Sequence, residues 1–462
     1  MKTFALSWAS VALAVTGFLS ACGGGGGGAE QGAAPAGATT VAGFSASVGT
    51  DSSAPAPAGS DSSAPAPAGS DSSAPARAGS DTTFTPGADG LGYPFASHKK
   101  AYVAGIRPTS STQAAQDALI RTQYDSWKTG VQSRCGGYVA VFSNEYASVS
   151  EGAGYGMLLS VVMAGYDAQA KTLFDGLFRV ARSFPAYGLN EPALMEWRVK
   201  ADCTSGGGGW NAVDGDLDIA MALLMADRQW GSAGRVNYKK EALATIDAMK
   251  RRNMNPQGFT TGLGTWNTSR TSDYMITHFK AFKRATGDAF WDLATDKSFE
   301  LLNLMQARFA PDTGLIPDFI VNTHSDPIPS PGYMGDGNLL EDDYSYNACR
   351  IPWRLASDYV TSGDERSKVV TAKLTDFFQR ATGGQPANFS GGYTLSGTPM
   401  APGYPSPTFV GPATAGAMVD AKFQPFLNSL WTHSSNNLST GYYGTELQLL
   451  SLIVASGNWW NP

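Results

Sequence analysis

The sequence predicts an all-α domain whose helices close into a double ring, and three observations predict it. From about Ala114 onward, apolar residues recur at helical spacing in block after block, about twelve blocks in all. The connections between them are rich in Gly, Pro and Asn and show little strand-like alternation. Among these helical blocks no self-similarity at a fixed period is visible, which sets aside an open solenoid. With 462 residues, 42% of them hydrophobic, the chain can bury a large core.

Taken in order, the first segment is "MKTFALSWASVALAVTGFLSAC". Lys2 precedes an apolar stretch too short for a good membrane span, so residues 1–22 read as an export signal. Its ending, Leu19-Ser20-Ala21-Cys22, resembles a bacterial lipobox, which makes Cys22 the acylated first residue of a mature lipoprotein. An ordinary cleaved signal with an incidental Cys22 is the alternative. Gly23 lacks the Asp that usually marks inner-membrane retention, so the expected location is the outer membrane or the cell surface. Residues 23–92 hold a glycine run and ten-residue repeats such as "GSDSSAPAPA". That composition cannot bury enough apolar surface to offset chain entropy, so we expect a disordered tether. The folded domain is expected over residues 93–462.

Its helical blocks run from "AAQDALIRTQYDSWKTG" through "GYGMLLSVVMAGYD" and "GDLDIAMALLMADRQW" to "TAGAMVDA", "FQPFLNSLW" and "GTELQLLSLIVAS". The long loops, 309–345 and 383–412, are where function is expected on such a scaffold. The four histidines are scattered without metal-ligand spacing, so neither a metal nor a cofactor is expected. Cys135, Cys203 and Cys349 remain in the folded domain. Cys135 and Cys203 are candidates for a bridge in an oxidising compartment, which sequence alone leaves open. Net charge is −6 and no basic block is present, which argues against a nucleic-acid partner. The 11 Trp and 18 Tyr suit stacking on sugar faces, although aromatics are equally core material.

Three stretches carry candidate chemistry. In "SNEYASVSEGAGYGML", Ser150 is placed to cap a helix and Glu151 to begin it. Gly152, Gly154 and Gly156 follow, each costing an interior helix position about 1 kcal/mol relative to alanine. Glycines there let another backbone or a ligand come close. A helix N-terminus lowers a carboxyl pKa, so a general acid at Glu151 needs burial and nearby carboxylates to outweigh the dipole. In "WNAVDGDLDIAM", Asp214, Asp216 and Asp218 alternate, but Ile219 and Met225 stand where a calcium loop needs Gly and Glu. Helix capping accounts for one of the three acids. The third stretch, "NLLEDDYSYNACRIPWR", sets Glu341, Asp342 and Asp343 ahead of Asn347.

Together "SEGAGYGML", "WNAVDGDLDIAMALLMADRQW" and "YNACRIPWRLASDY" resemble glycoside hydrolase family 8, over essentially all of residues 93–462. The resemblance implies an (α/α)6 barrel that cleaves β-1,4-linked polysaccharides with inversion. Inversion needs an acid and a base about 6.5–9.5 Å apart, with room for a water. The resemblance makes Glu151 the general acid and Asp214 the carboxylate that contacts the sugar. Many members take the base from an Asp where this chain has Asn347, and an amide cannot accept a proton from water. The branch with Asn, which includes chitosanases, takes its base from a Glu in the loop upstream. That implies Glu341, the sole Glu of loop 309–345, with Asp343 and Asp342 as the next choices. Trp197, Trp210 and Trp266 are candidates for sugar stacking, Asp273 and Tyr274 for the cleft lining, and Arg350 for orienting a carboxylate.

The resulting expectation is a monomeric inverting endo-β-1,4-glycanase, lipid-anchored to a membrane, with chitosan as the leading substrate. Cellulose and mixed-linkage glucan follow closely. A non-catalytic glycan-binding lipoprotein is the competing reading.

Overall fold

A computed structural model describes residues 90–140, 145–260, 267–332, 341–440 and 442–462. The expectations for residues 1–22, Cys22, most of the linker and Trp266 lie outside the described residues. Twelve α-helices occur among the described residues. They are α1 (Gln113–Lys128), α2 (Ser150–Val162), α3 (Ala170–Ser183), α4 (Val213–Trp230), α5 (Tyr238–Asn253) and α6 (Ile276–Thr286). The rest are α7 (Phe290–Arg308), α8 (Ile351–Ser362), α9 (Glu365–Thr382), α10 (Pro407–Gly416), α11 (Gln424–Asn436) and α12 (Tyr443–Ala455).

The even-numbered helices each pack against the next, and α12 returns against α2, closing an inner ring. Helices α3, α5, α7, α9 and α11 each cover the inner helix before them, and α1 packs on α12. This is the expected (α/α)6 barrel. Sequence decides which helix goes where. Every residue of α2 is buried, and every residue of α12 but Gly444, so neither has a polar face to offer solvent. Helix α3, by contrast, buries Leu173, Phe174, Leu177, Phe178 and Ala181 on one stripe and keeps its charges outside.

Where α2 crosses α4, which is itself buried from Val213 to Ala226, small residues are needed. A Cβ on Gly154 would lie 2.8 Å from Asp218 Cβ and 3.0 Å from the Gly215 carbonyl oxygen. A Cβ on Gly215 would lie 2.5 Å from the Ser150 carbonyl carbon. These glycines let the first turns of α2 and α4 touch backbone to backbone, which sets Glu151 beside Asp214. They also explain a correction. Ser150 is the first residue of α2 rather than its cap; the cap position is Val149, with no side-chain hydrogen bond. Ser150 is pressed against Gly215 instead.

Other departures have local causes. Nine short strands occur among the described residues: β1 (Val131–Arg134), β2 (Gly137–Ala140), β3 (Tyr146–Val149), β4 (Pro185–Ala186), β5 (Glu191–Met195), β6 (Arg198–Lys200), β7 (Thr268–Arg270), β8 (Phe319–Val321) and β9 (Ile328–Pro329). Runs of two to five residues are too short to print an alternating pattern. They pair as antiparallel β1–β2, β3–β6 and β4–β5, and as a three-stranded β7–β8–β9 sheet. Helix α10 begins at Pro407 rather than Thr414, because Ser406 caps it and Pro412 is accommodated inside it. Cys135 and Cys203 form a disulfide with Cα atoms 5.2 Å apart, and Cys349 is a buried thiol outside any disulfide among the described residues.

The glycine contact generates a prediction. Gly215→Ala is expected to lower the unfolding free energy by about 1–3 kcal/mol through overpacking. Gly234→Ala, where an added Cβ meets nothing within 4 Å, serves as the control and is expected to change little. Thermal unfolding of both variants checks the pair; equal melting temperatures would contradict the close crossing.

Candidate active site

The first turns of α2 and α4, the 3-10 turn ahead of α8 and the strand β7 converge on one buried cluster. Glu151 is 2% exposed, Asp214 1% and Arg350 0%. Arg350 Nη1 donates to both Glu151 Oε2 and Asp214 Oδ2, the latter at 2.7 Å. Its Nη2 donates to Ser272 Oγ at 2.7 Å and to Asn347 Oδ1 at 2.9 Å, and its Nε to the Asn347 carbonyl at 3.2 Å. Arg270 reaches Asp214 Oδ1 at 2.7 Å and Asp273 Oδ1 at 3.0 Å. Tyr442 closes the cluster, its hydroxyl donating to Glu151 Oε1 at 2.5 Å.

Helical spacing sorts the three aspartates of α4. Asp214 and Asp218, four residues apart, share a face. On that face Asp218 accepts a two-pronged bond from Arg354, at 2.7 and 2.6 Å, and lies 2.8 Å from His278 Nε2. Asp216 points the other way, accepting from the Met195 amide at 2.9 Å and Asn211 Nδ2 at 2.8 Å. No side chain caps α4. The alternating acids therefore do separate jobs, and only Asp214 joins the cluster.

Surroundings push the two facing carboxyls apart. Burial is the largest influence on Glu151 and, with the charge of Asp214, raises it to about 7 against the pull of Arg350 and Tyr442. Burial would raise Asp214 as well, but Arg270 and Arg350 overcome it and hold Asp214 well below the usual carboxylate range. The result is one carboxyl able to keep a proton near neutrality beside one that stays ionised. Burial also lifts Asp273, to about 6, although Arg270 opposes it. Its Oδ2 is buried and has no hydrogen-bond partner among the described residues.

Glu341 is buried, and its Oε2 accepts from Ser330 Oγ at 2.7 Å. Its carbonyl accepts from the Phe319 amide at 3.0 Å, which lays this loop along β8. Asp342 is exposed and Asp343 half-buried. Asn347 is occupied elsewhere. Its Nδ2 donates to Asp318 Oδ2 at 3.2 Å while its Oδ1 accepts from Arg350. Asp318, fully buried, also accepts from the amides of Ser345, Asn347 and Ala348. Burial raises Asp318 to about 6 in spite of those bonds. An aspartate at 347 would set a second carboxylate against Asp318, so the amide suits this position.

The aromatic candidates scatter. Trp197 carries the Arg198 guanidinium 4.5 Å above its ring, and its carbonyl accepts from the Ser150 amide at 2.9 Å, next to Glu151. Trp210 is 47% exposed. Its carbonyl accepts from the Trp197 amide at 2.9 Å. Tyr274 is buried in the core beside Asp273. Sequence reasoning missed Arg270, Tyr442 and Asp318. Arg270 stands three residues before Asp273 in "TSRTSDYM", a spacing that could have signalled an ion pair, whereas nothing local marks Tyr442 or Asp318.

Residues 102–457 match the family model described as glycosyl hydrolases family 8. A "Beta-glucanase" of Niallia circulans is 37% identical over 376 residues, covering 79% of this chain and 91% of that protein. An "Endoglucanase" of a Bacillus species is 35% identical, covering 78% of this chain and 80% of its own length. Among solved structures, a β-1,3-1,4-glucanase from a Paenibacillus species superposes with a TM-score of 0.76 at 36% identity, over 80% of this chain and all of that one.

The Asn347–Asp318 contact is open to test. Asn347→Asp is expected to lower stability by about 1–3 kcal/mol at pH 7.5, where a carboxylate at 347 would face the ionised Asp318. Below about pH 6, where Asp318 gains a proton and can donate, the loss should shrink. Denaturant unfolding at pH 5 and pH 7.5 measures both; a loss independent of pH would contradict the contact.

Proposed function

The chain belongs to glycoside hydrolase family 8, and from that premise we propose an inverting endo-β-glucanase acting on β-1,4-linked or mixed-linkage glucan. It is a glycoside hydrolase whose relatives carry glucanase and endoglucanase activities in their names. The single observation that carries the mechanism is the Glu151–Asp214 pair, one carboxyl lifted to about 7 and its neighbour held ionised.

In this reading Glu151 gives its proton to the oxygen of the leaving sugar as the glycosidic bond breaks. Glu341 takes a proton from a water that attacks the anomeric carbon from the opposite face. Ionised Asp214 meets the sugar between them, and its negative charge stabilises the positive charge developing on the ring. Arg350 keeps Asp214 ionised and fixes Glu151, while Tyr442 holds the second oxygen of Glu151. The base assignment rests on the buried position of Glu341 alongside β8 and on Asn347 being engaged by Asp318 and Arg350. Trp197 and exposed Trp210 serve as stacking surfaces along the cleft. Through the signal and tether, Cys22 anchors this activity to the cell envelope.

Support for glucan over chitosan, which led the sequence-based expectation, comes from charge. Chitosan carries ammonium groups and needs unmatched carboxylates. Here Asp214 and Asp273 already face Arg270, and Glu151 faces Arg350. The relatives' names point the same way.

Two measurements test this. Reducing-sugar release from barley β-glucan, carboxymethylcellulose, chitosan and xylan should be fastest on a glucan. Glu151→Gln and Glu341→Gln should each lower it by about 10²–10⁴-fold. Full activity in the Glu341 variant would move the base elsewhere. The second is the pH profile of kcat/KM, which should fall on the alkaline side with a midpoint near 7, as Glu151 loses its proton. A plateau to pH 9 would contradict Glu151 as the acid.

A further inference from the structure

The loop that joins β6 to α4 is held by a buried acid that the site above does not use. Glu196 is 1% exposed, and its Oε1 accepts from Ser205 Oγ at 2.6 Å and from the amides of Gly207 and Gly209, each at 2.8 Å. Two residues on, Arg198 donates to the Gly206 carbonyl, from Nε at 3.2 Å and from Nη2 at 3.0 Å. A buried carboxyl costs free energy unless hydrogen bonds meet it, and three donors meet this one. The wrap needs glycine: Gly208 and Gly209 have φ of +65° and +82°, where other residues are strained. The loop is thus built to one shape.

What it holds out is aromatic. A Cβ on Gly209 would lie 2.8 Å from Tyr187 Cε2, so the bare backbone there lies against the Tyr187 ring. The Gly188 amide donates to the Gly209 carbonyl at 2.9 Å, which fixes Tyr187 next to the residue that precedes Trp210. Tyr187 is 61% exposed and Trp210 47%. Large rings left in water side by side on a fixed loop mark a surface that a ligand covers. Its place and chemistry define the ligand. Trp210 stands four residues before Asp214, so their Cα atoms are at most about 14 Å apart. Backbone hydrogen bonds join Trp197 to Trp210 and Ser150 to Trp197, one residue from Glu151. The rings therefore sit at the same end of the barrel as the acid. Glu196 and Arg198, the charged side chains that hold the loop, are taken up by its own backbone. Flat rings at that distance suit the apolar C–H faces of glucose units further along the chain being cut.

We propose that Tyr187 joins Trp210 in a stacking platform for glucose units of the bound glucan away from the bond that is cut, and that Glu196 is the positioning residue that holds this platform in shape. This rests on the hydrolase reading above. The platform does no bond chemistry. It holds polymer, so its effect belongs in polymer affinity and KM more than in kcat.

The test pairs kinetics on barley β-glucan with calorimetric titration of the same polymer into the full chain carrying Glu151→Gln, which stops cleavage. Tyr187→Ala and Trp210→Ala should each weaken binding and raise KM by about 2–10-fold, the scale of one lost ring contact, with smaller changes in kcat. Tyr187→Phe and Trp210→Phe keep a ring and should retain most of the affinity. Both positions are exposed, so all four variants should unfold at nearly the parent temperature. Glu196→Ala should raise KM as the ring variants do, and Glu196→Gln, whose amide oxygen can still accept from Gly207 and Gly209, should restore it. Unchanged affinity and KM in both ring-to-alanine variants would overturn the platform. So would a loss in Tyr187→Phe as large as in Tyr187→Ala, which would assign the effect to the hydroxyl. An unchanged KM in Glu196→Ala would overturn its positioning role. If the unaltered chain releases no reducing sugar from any polymer, the hydrolase reading fails; if it cleaves β-glucan and the alanine variants match it, the platform alone fails.

Discussion

Arg350, in the 3-10 turn that leads into α8, and Arg354, four residues on in α8, face two aspartates one helical turn apart on α4. Arg350 meets Asp214 and Arg354 meets Asp218, all four nearly or fully buried. Buried ion pairs do not repay their desolvation readily, and breaking one leaves an uncompensated charge. Such a ladder contributes little to net stability, yet it fixes how these two inner helices of the barrel sit relative to each other. Its upper rung also takes in Glu151, so the geometry of the ring and the ionisation of the site depend on the same side chains.

The rest follows from that rung. Arg350 and Arg270 keep Asp214 ionised, and the negative charge beside it, added to burial, keeps a proton on Glu151. Glycines 154 and 215 bring the two carboxyls together by letting backbones touch. Asn347 and Asp318 hold the turn that delivers Arg350. Tyr442 ties the acid to α12, the last inner helix, which closes the ring against α2. Each inner helix that reaches the cluster contributes through the end of the helix, where backbone and side chains are free to face a substrate.

Much of this was legible in the chain. Apart from α10, which begins seven residues before its expected start, the helices stand close to where helical spacing put them, because inner and outer helices alike carry a dense apolar period. Glu151, Asp214, Asp273 and Arg350 were singled out from local motifs and meet in space. What sequence hid was long-range. Tyr442 lies 291 residues from the acid it holds, and no local pattern marks it. Asp318 serves amides some 30 residues on and looks like one more loop acid. Ser150 carried a capping signal that Gly215 overrides by occupying its side. Short strands such as β7, which delivers Arg270, are invisible to periodicity. Asn347 was read as a lost base, and its positive role appears only with Asp318 beside it.

The central claim is that a protonated Glu151 and a base on the opposite face of the sugar act together through a single displacement. Proton NMR of the first products from barley β-glucan reads this directly, because newly formed reducing ends keep their anomeric form for minutes before they equilibrate. The account predicts that the α-anomer accumulates first and the β-anomer follows by mutarotation. If the β-anomer appears first, the reaction proceeds with retention, and the pairing of Glu151 with an opposing water-activating base is wrong.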